Sequence, residues 1–207
     1  SQVYFSSQDI STLDSRYRTQ LINSLTGFKS LALIGTSNEE QLLNLALFSQ
    51  VIHVGAHPPY IGILSRPNSV VRHTLENIRA TGVFTINHVQ EKFYEAAHLT
   101  SARWASSEFA EVGLTAEFKN SFFAPFVKES EIKIGCELNE LIDIQSNGTH
   151  LVIGEIKHIF LREATLGSDG YVDIEAAGSL TVSGLDSYHR TEKIARLPYA
   201  KAKEKLG

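Results

Sequence analysis

The stretch "NLALFSQVIHVGAHPPYIGILSRP", residues 44–67, decides the fold class. Its Val, Ile, Phe and Tyr content favours strand over helix. The Pro58–Pro59 pair removes two backbone donors and fixes two φ angles, so it forces a break or an extended corner. The reading is two strands, near 46–55 and 60–65, with the prolines between them.

Working outward, the same kind of signal recurs. "KSLALIGTS" (29–37) is too brief for a helix and reads as a buried strand, and "GVFTINHV" (82–89) as another. In "EIKIGCELNELIDI" (131–144), Ile132, Ile134, Cys136 and Leu138 share one face and charges share the other, the period of a strand. Asn147-Gly148 is a hairpin signal, "THLVIGEIKHIFL" (149–161) is the return strand, and Gly154 within it suits a bulge. Asp169-Gly170 marks a further turn. Helices are fewer. Leu13, Tyr17, Leu21 and Leu25 form one stripe of an N-terminal helix over 10–27, stopped by Gly27. A helix over 75–81 has Thr74 where an N-cap would sit and Gly82 as its stop. "EKFYEAAHLT" (91–100) and "SARWASSEFAEVG" (101–113) read as helical pieces, and "SFFAPFVKES" (121–130) as a loop. Regular strand–helix–strand alternation is missing, which argues against a doubly wound parallel sheet. A mainly antiparallel β barrel with helical decorations is expected.

The bulk properties narrow the function. At 207 residues the chain suits a single domain, with a core over about 28–160 and an N-terminal helix and a C-terminal tail (180–207) as decorations. A net charge of −4 argues against a polyanion binder, so no nucleic-acid partner is expected. The single cysteine, Cys136, excludes an intrachain disulfide and a cysteine-cluster metal site, and reads as a buried small hydrophobe. No run approaches the roughly 20 apolar residues that span a bilayer. The first residues lack the basic start and apolar core of a signal peptide, so no membrane association and a cytoplasmic location are expected. His53 and His57 lie four apart but in a strand, about 13 Å from each other, too far to share one ion; no metal site is expected. There is no nucleophile elbow, no Walker-type loop and no GxGxxG.

"RPNSVVRHTLENI" (66–78) leaves two readings open. Thr74 caps a helix and Arg66 and Arg72 are solvated. Alternatively, the free N–H groups of the first helical turn, with Arg66, Arg72 and the Thr74 hydroxyl, form a phosphate cradle.

"LIGTSN", "NLALFS", "HPPYIGILSRP", "RHTLENIRATGVFTIN" and "FAEVGLT" occur in that order over residues 28–160, and the succession resembles the flavin reductase-like family of FMN-binding split-barrel proteins. The closing "SGLDSYHRTEKIARLPYA" resembles the tail of one longer branch. The resemblance implies a six-stranded antiparallel Greek-key split barrel with peripheral helices, a homodimer, and FMN near the dimer interface. By matching motif, Asn44, Leu45, Ala46, Phe48 and Ser49 would pass beside the flavin ring. Thr36, Ser37 and Asn38 would meet the ribityl chain or phosphate, and Ser65, Arg66, Arg72 and Thr74 the phosphate, with Asn77 near by. His73 departs from the family, which often places Asp there; Asp caps a helix well and His poorly. The activity implied is an FMN-dependent oxidoreductase taking hydride from NADH or NADPH and passing electrons to a small-molecule or flavin acceptor. The alternative is an FMN-binding electron carrier without its own turnover. His189 is the candidate catalytic residue on the nicotinamide side, with Tyr188 packed against the ring.

Overall fold

A computed structural model describes residues 1–66 and 72–202; of Arg72 only the backbone is described. Helices α1 (Ser7–Thr12) and α2 (Ser15–Ser24) lead into β1 (Lys29–Ser30), β2 (Ala32–Ser37), β3 (Leu43–Phe48), β4 (Val51–Ala56) and β5 (Pro59–Ser65). Then come α3 (Arg72–Thr81) and β6 (Val83–His88). A 3-10 turn (Glu91–Phe93), α4 (Tyr94–Leu99) and α5 (Glu108–Val112) precede the short pair β7 (Ala116–Glu117) and β8 (Phe126–Val127). The long hairpin of β9 (Lys133–Ile144) and β10 (Thr149–Phe160) is followed by β11 (Thr181–Ser183) and β12 (Ser187–His189), which pair with β1 in a small separate sheet.

The main sheet is antiparallel throughout and has seven strands in the order β3-β2-β6-β9-β10-β5-β4. Its two edge strands, β3 and β4, are consecutive in the chain and separated only by Ser49 and Gln50. The three Cα steps from Phe48 to Val51 reach at most about 10 Å. Seven strands laid flat would put the edges roughly 29 Å apart, six spacings of about 4.8 Å. The sheet must therefore curl until its edges meet. They meet without a hydrogen-bonded β3–β4 ladder, so the barrel is split.

This corrects two expectations. The run from 46 to 55 is not one strand: it breaks at Ser49-Gln50 and serves both edges of the sheet. The main sheet accordingly has seven strands rather than six, and it is not closed by hydrogen bonds.

The curl creates an inside and an outside, each with its own core. Inside, Ile34, Ala46, Phe48, Ile63, Phe84, Ile86, Cys136 and Val152 pack together with Leu75 and Ile78 of α3. Gly154 makes this possible. A Cβ on it would come 2.6 Å from Phe84 Cζ and 3.0 Å from Cys136 Cβ. The β9–β10 register slips beside it, but the extra residue is Asn139 of β9, and the bulge on β10 itself comes at Lys157, so Gly154 serves close packing and is not itself the bulge. Outside, Leu33, Leu45, Val89, Phe93, Phe109, Leu114, Val127 and Val182 pack beneath α4, α5 and β11. Burial pushes the Cys136 thiol up to about 12, so it stays protonated at neutral pH, in keeping with its reading as a buried hydrophobe.

Two helices start elsewhere than expected. The N-terminal stripe is divided, because the Asp14 side chain accepts from the backbone N–H groups of Arg16 and Tyr17 and begins a second helix there. Helix α3 begins at Arg72, so Thr74 lies inside its first turn rather than at a cap.

His88, at the end of β6, sets a pH dependence. Its Nδ1 lies 2.7 Å from Ser179 Oγ, and burial lowers its pKa from 6.5 to about 4. The native state therefore binds this proton less readily than the unfolded chain does. The stabilising contribution is full above pH 6.5 and is lost as pH falls toward 4, with a slope of about 1 kcal/mol per pH unit. Thermal melts of His88→Gln are expected to lose much of the decline in Tm across that window. An undiminished decline would assign it to other groups.

Candidate functional site

The seam where β3 gives way to β4 opens into a cavity of about 410 Å³. Three parts of the chain form it. The β3–β4 passage supplies Leu47, Phe48, Ser49 and Gln50; the end of β5 supplies Leu64, Ser65 and Arg66; and the small sheet supplies Lys29, Val182, Leu185 and Tyr188. Leu31, Asn23, His98, Ser101 and Thr149 complete the lining, which contains no Asp or Glu among the described residues.

One wall is apolar, built from Leu31, Leu47, Leu64, Val182 and Leu185. Cations stand on another side. Lys29 is only 8% exposed, and its Nζ donates to the Gly184 carbonyl at 3.2 Å. Burial lowers its pKa, and the neighbouring Arg66 charge lowers it further. Arg66 Nη2 reaches Asn23 Oδ1 at 3.4 Å. On the far side, the Tyr188 hydroxyl lies 2.7 Å from His98 Nδ1. Burial and then Asp186 push the Tyr188 phenol up to about 12, so it keeps its proton.

The free edge of β3 adds backbone groups. The Leu45 N–H donates to Glu108 Oε2 of α5 at 3.1 Å, so it points away from β2. Alternation along a strand aims the backbone N–H and C=O of Leu47 the same way. Asn44, Ala46 and Phe48 turn theirs toward β2. The backbone groups that β3 can offer a ligand are therefore those of alternate residues.

The structure divides the residues singled out from sequence into three sets. Phe48, Ser49, Ser65 and Arg66 come together on the cavity. A second set is buried and paired with itself. Asn44 Nδ2 donates to Thr74 Oγ1 at 2.9 Å, and Asn77 Nδ2 donates to Thr36 Oγ1 at 3.0 Å. These bonds pin α3 to β2 and β3, while Leu45 and Ala46 are buried in the two cores. Ser37 reaches the Phe123 carbonyl at 3.5 Å, and Asn38 Oδ1 accepts from the Leu42 N–H at 2.9 Å, which shapes the β2–β3 turn. The third set lies away. His189 sits on β12 with its Nε2 2.7 Å from Ser183 Oγ and its ring edge-on to Phe28. It lines a neighbouring cavity with Glu91, Tyr94 and Arg190 instead. The side chain of Arg72 lies outside the described residues. Lys29 is the charged site residue that sequence reasoning missed, beside apolar lining residues such as Leu31, Leu64 and Val182. It is placed by the pairing of β1 with β11, residue 29 opposite residue 182, and nothing local announces that pairing.

Comparison with known proteins agrees with this architecture. The model of the flavin reductase like domain matches residues 26–177. A solved protein from Shewanella frigidimarina, assigned as a flavin reductase with a split-barrel domain, is 47% identical with a TM-score of 0.93, covering 96% of this chain and 100% of that one. The 2-nitrobenzoate 2-nitroreductase of Pseudomonas fluorescens is 25% identical with a TM-score of 0.82, covering 99% and 100%. Nitrilotriacetate monooxygenase component B from Bacillus cereus shares the fold at 21% identity, with a TM-score of 0.81 and coverage of 95% and 99%.

Proposed function

The chain belongs to the flavin reductase-like domain family, and on that premise we propose that it is an FMN-dependent oxidoreductase that accepts hydride from NADH or NADPH. The observation that carries this reading is the cavity at the seam. It combines an apolar wall, the outer edge of β3 and a cationic end without Asp or Glu among the described lining, the three surfaces that a flat, polar-edged, phosphate-bearing cofactor requires. When bound, the flavin supplies the hydride-accepting ring.

Each residue's part follows from its place. Ser65 and Arg66 bind the phosphate, Arg66 through charge-assisted hydrogen bonds. Leu47 offers edge N–H and C=O groups, and Phe48 and Ser49 position the passage beside the ring. Leu31, Leu64 and Val182 exclude water. Asn44, Thr74, Thr36 and Asn77 act through position: their bonds hold α3 against the two strands that frame the cavity. Tyr188 keeps its proton and stands in hydrogen-bond contact with His98, a fixed dipole at the open side. His189 steadies the strand that carries Tyr188.

The active unit in this reading is a homodimer. Its support is the apolar surface one copy leaves exposed, including Ile52 and Val54 on the β4 edge and Ile194 in the tail.

Mixing FMN-loaded protein with NADH or NADPH under anaerobic conditions tests the activity. Bleaching of the flavin within seconds by one of the two is expected. A flavin that stays oxidised with both, yet accepts electrons from a chemical reductant, would make the protein an electron carrier.

A further inference from the structure

Lys29 is not required by the residues matched to the family motifs, and its surroundings are unusual. Lysines are almost never this buried unless paired. No carboxylate lies within ion-pair distance of Lys29 among the described residues, and its one protein partner there is the Gly184 carbonyl. An ammonium carries three N–H donors, so two remain for something else. Taking such a charge out of water is costly without compensation.

Arg66 lines the same cavity from the end of β5, and its charge adds to the strain on Lys29 instead of relieving it. Two cations converging on one acid-free cavity raise its positive potential and draw anions into it. The apolar wall beside them, Leu31, Leu47 and Val182, suits a ligand that carries a flat ring as well as an anionic group.

We propose that Lys29 and Arg66 together form a phosphate subsite of this cavity, with Lys29 its specificity-determining residue. The phosphate it holds is the one Arg66 meets in the flavin reading above, on which the proposal rests.

The test compares wild type with Lys29→Met, which keeps length and burial but removes the charge, and Lys29→Arg, which restores it. Affinities for FMN and for riboflavin are measured by quenching of flavin fluorescence, and the KM for NADH or NADPH by turnover. A charge-assisted contact predicts a loss of about tenfold or more on removal. If the phosphate is that of FMN, Lys29→Met weakens FMN binding by that factor, leaves riboflavin binding unchanged, and Lys29→Arg recovers part of the loss. Unchanged flavin affinities with a raised KM would give Lys29 to the dinucleotide, apart from Arg66, and overturn the shared subsite. Unchanged FMN affinity together with unchanged KM overturns the proposal. Removing an unpaired buried charge should leave Tm equal or higher, which separates these outcomes from misfolding.

Should wild type take up no flavin, the flavin reading fails on its own, and inorganic phosphate then tests the subsite. A rise in Tm with phosphate in wild type that is absent in Lys29→Met supports it; no rise in wild type overturns it.

Discussion

Alanine at position 35 is expected to destabilise this chain by more than about 3 kcal/mol, near the top of the range for single substitutions. Gly35 lies in the middle of β2, opposite Leu45 on β3 and Thr85 on β6. A Cβ there would sit 2.2 Å from the Pro125 carbonyl oxygen and 2.5 Å from Thr85 Oγ1. Neither atom can yield cheaply. The Thr85 hydroxyl donates to that same Pro125 carbonyl at 2.6 Å, and Pro125 leads into β8. Making room would break a buried hydrogen bond and lift β8 off the barrel. Gly35 is thus required for space and not for an unusual φ. Urea denaturation is the direct check, with a lower midpoint and an unchanged m-value expected. A midpoint equal to that of wild type would mean that β8 is not held as described.

The second large effect is expected at Asn87, a fully buried residue near the end of β6. Its Nδ2 donates to the Leu33 carbonyl at 3.0 Å and to Thr85 Oγ1 at 2.9 Å, and its Oδ1 accepts from the Val127 N–H at 3.0 Å. One amide therefore joins β2, β6 and β8. Asn87→Ala removes all three bonds and strands buried partners, each at about 1–3 kcal/mol, for a total on the order of 4 kcal/mol. Asn87→Asp should be worse at neutral pH, since it places a carboxylate oxygen against the Leu33 carbonyl in a dry site. Thermal melts of both variants against wild type provide the measurement. An alanine variant within about 1 kcal/mol of wild type would show that the network is dispensable.

Much of this architecture was legible locally. The hairpin at Asn147-Gly148 and the alternation through Cys136 are short-range signals that the structure has, whereas the bulge expected at Gly154 falls opposite it, at Asn139 of β9. Local pattern misleads at Ser49-Gln50. The apolar residues on both sides carry no Gly or Pro to mark a break, so the run reads as one strand. The break follows from topology, because the chain crosses from one sheet edge to the other at that point. The polar residues of the candidate site show the same divide. The pairings of Thr74 and Asn77 are hidden from local pattern, because their partners, Asn44 and Thr36, lie 30 and 41 residues away. Lys29 carries no local signal for the same reason: the strand that buries it comes some 150 residues later.

The family sets the expectation of a flavin, and the proposed reading seats it at the seam, where cations, an apolar wall and the β3 edge meet. Titration of the purified protein with FMN, followed by quenching of flavin fluorescence, tests that claim most directly. The account predicts saturable binding at one FMN per chain, weakened about tenfold or more in Arg66→Ala with Tm little changed. No quenching at any FMN concentration, or equal affinity in wild type and Arg66→Ala, would contradict it.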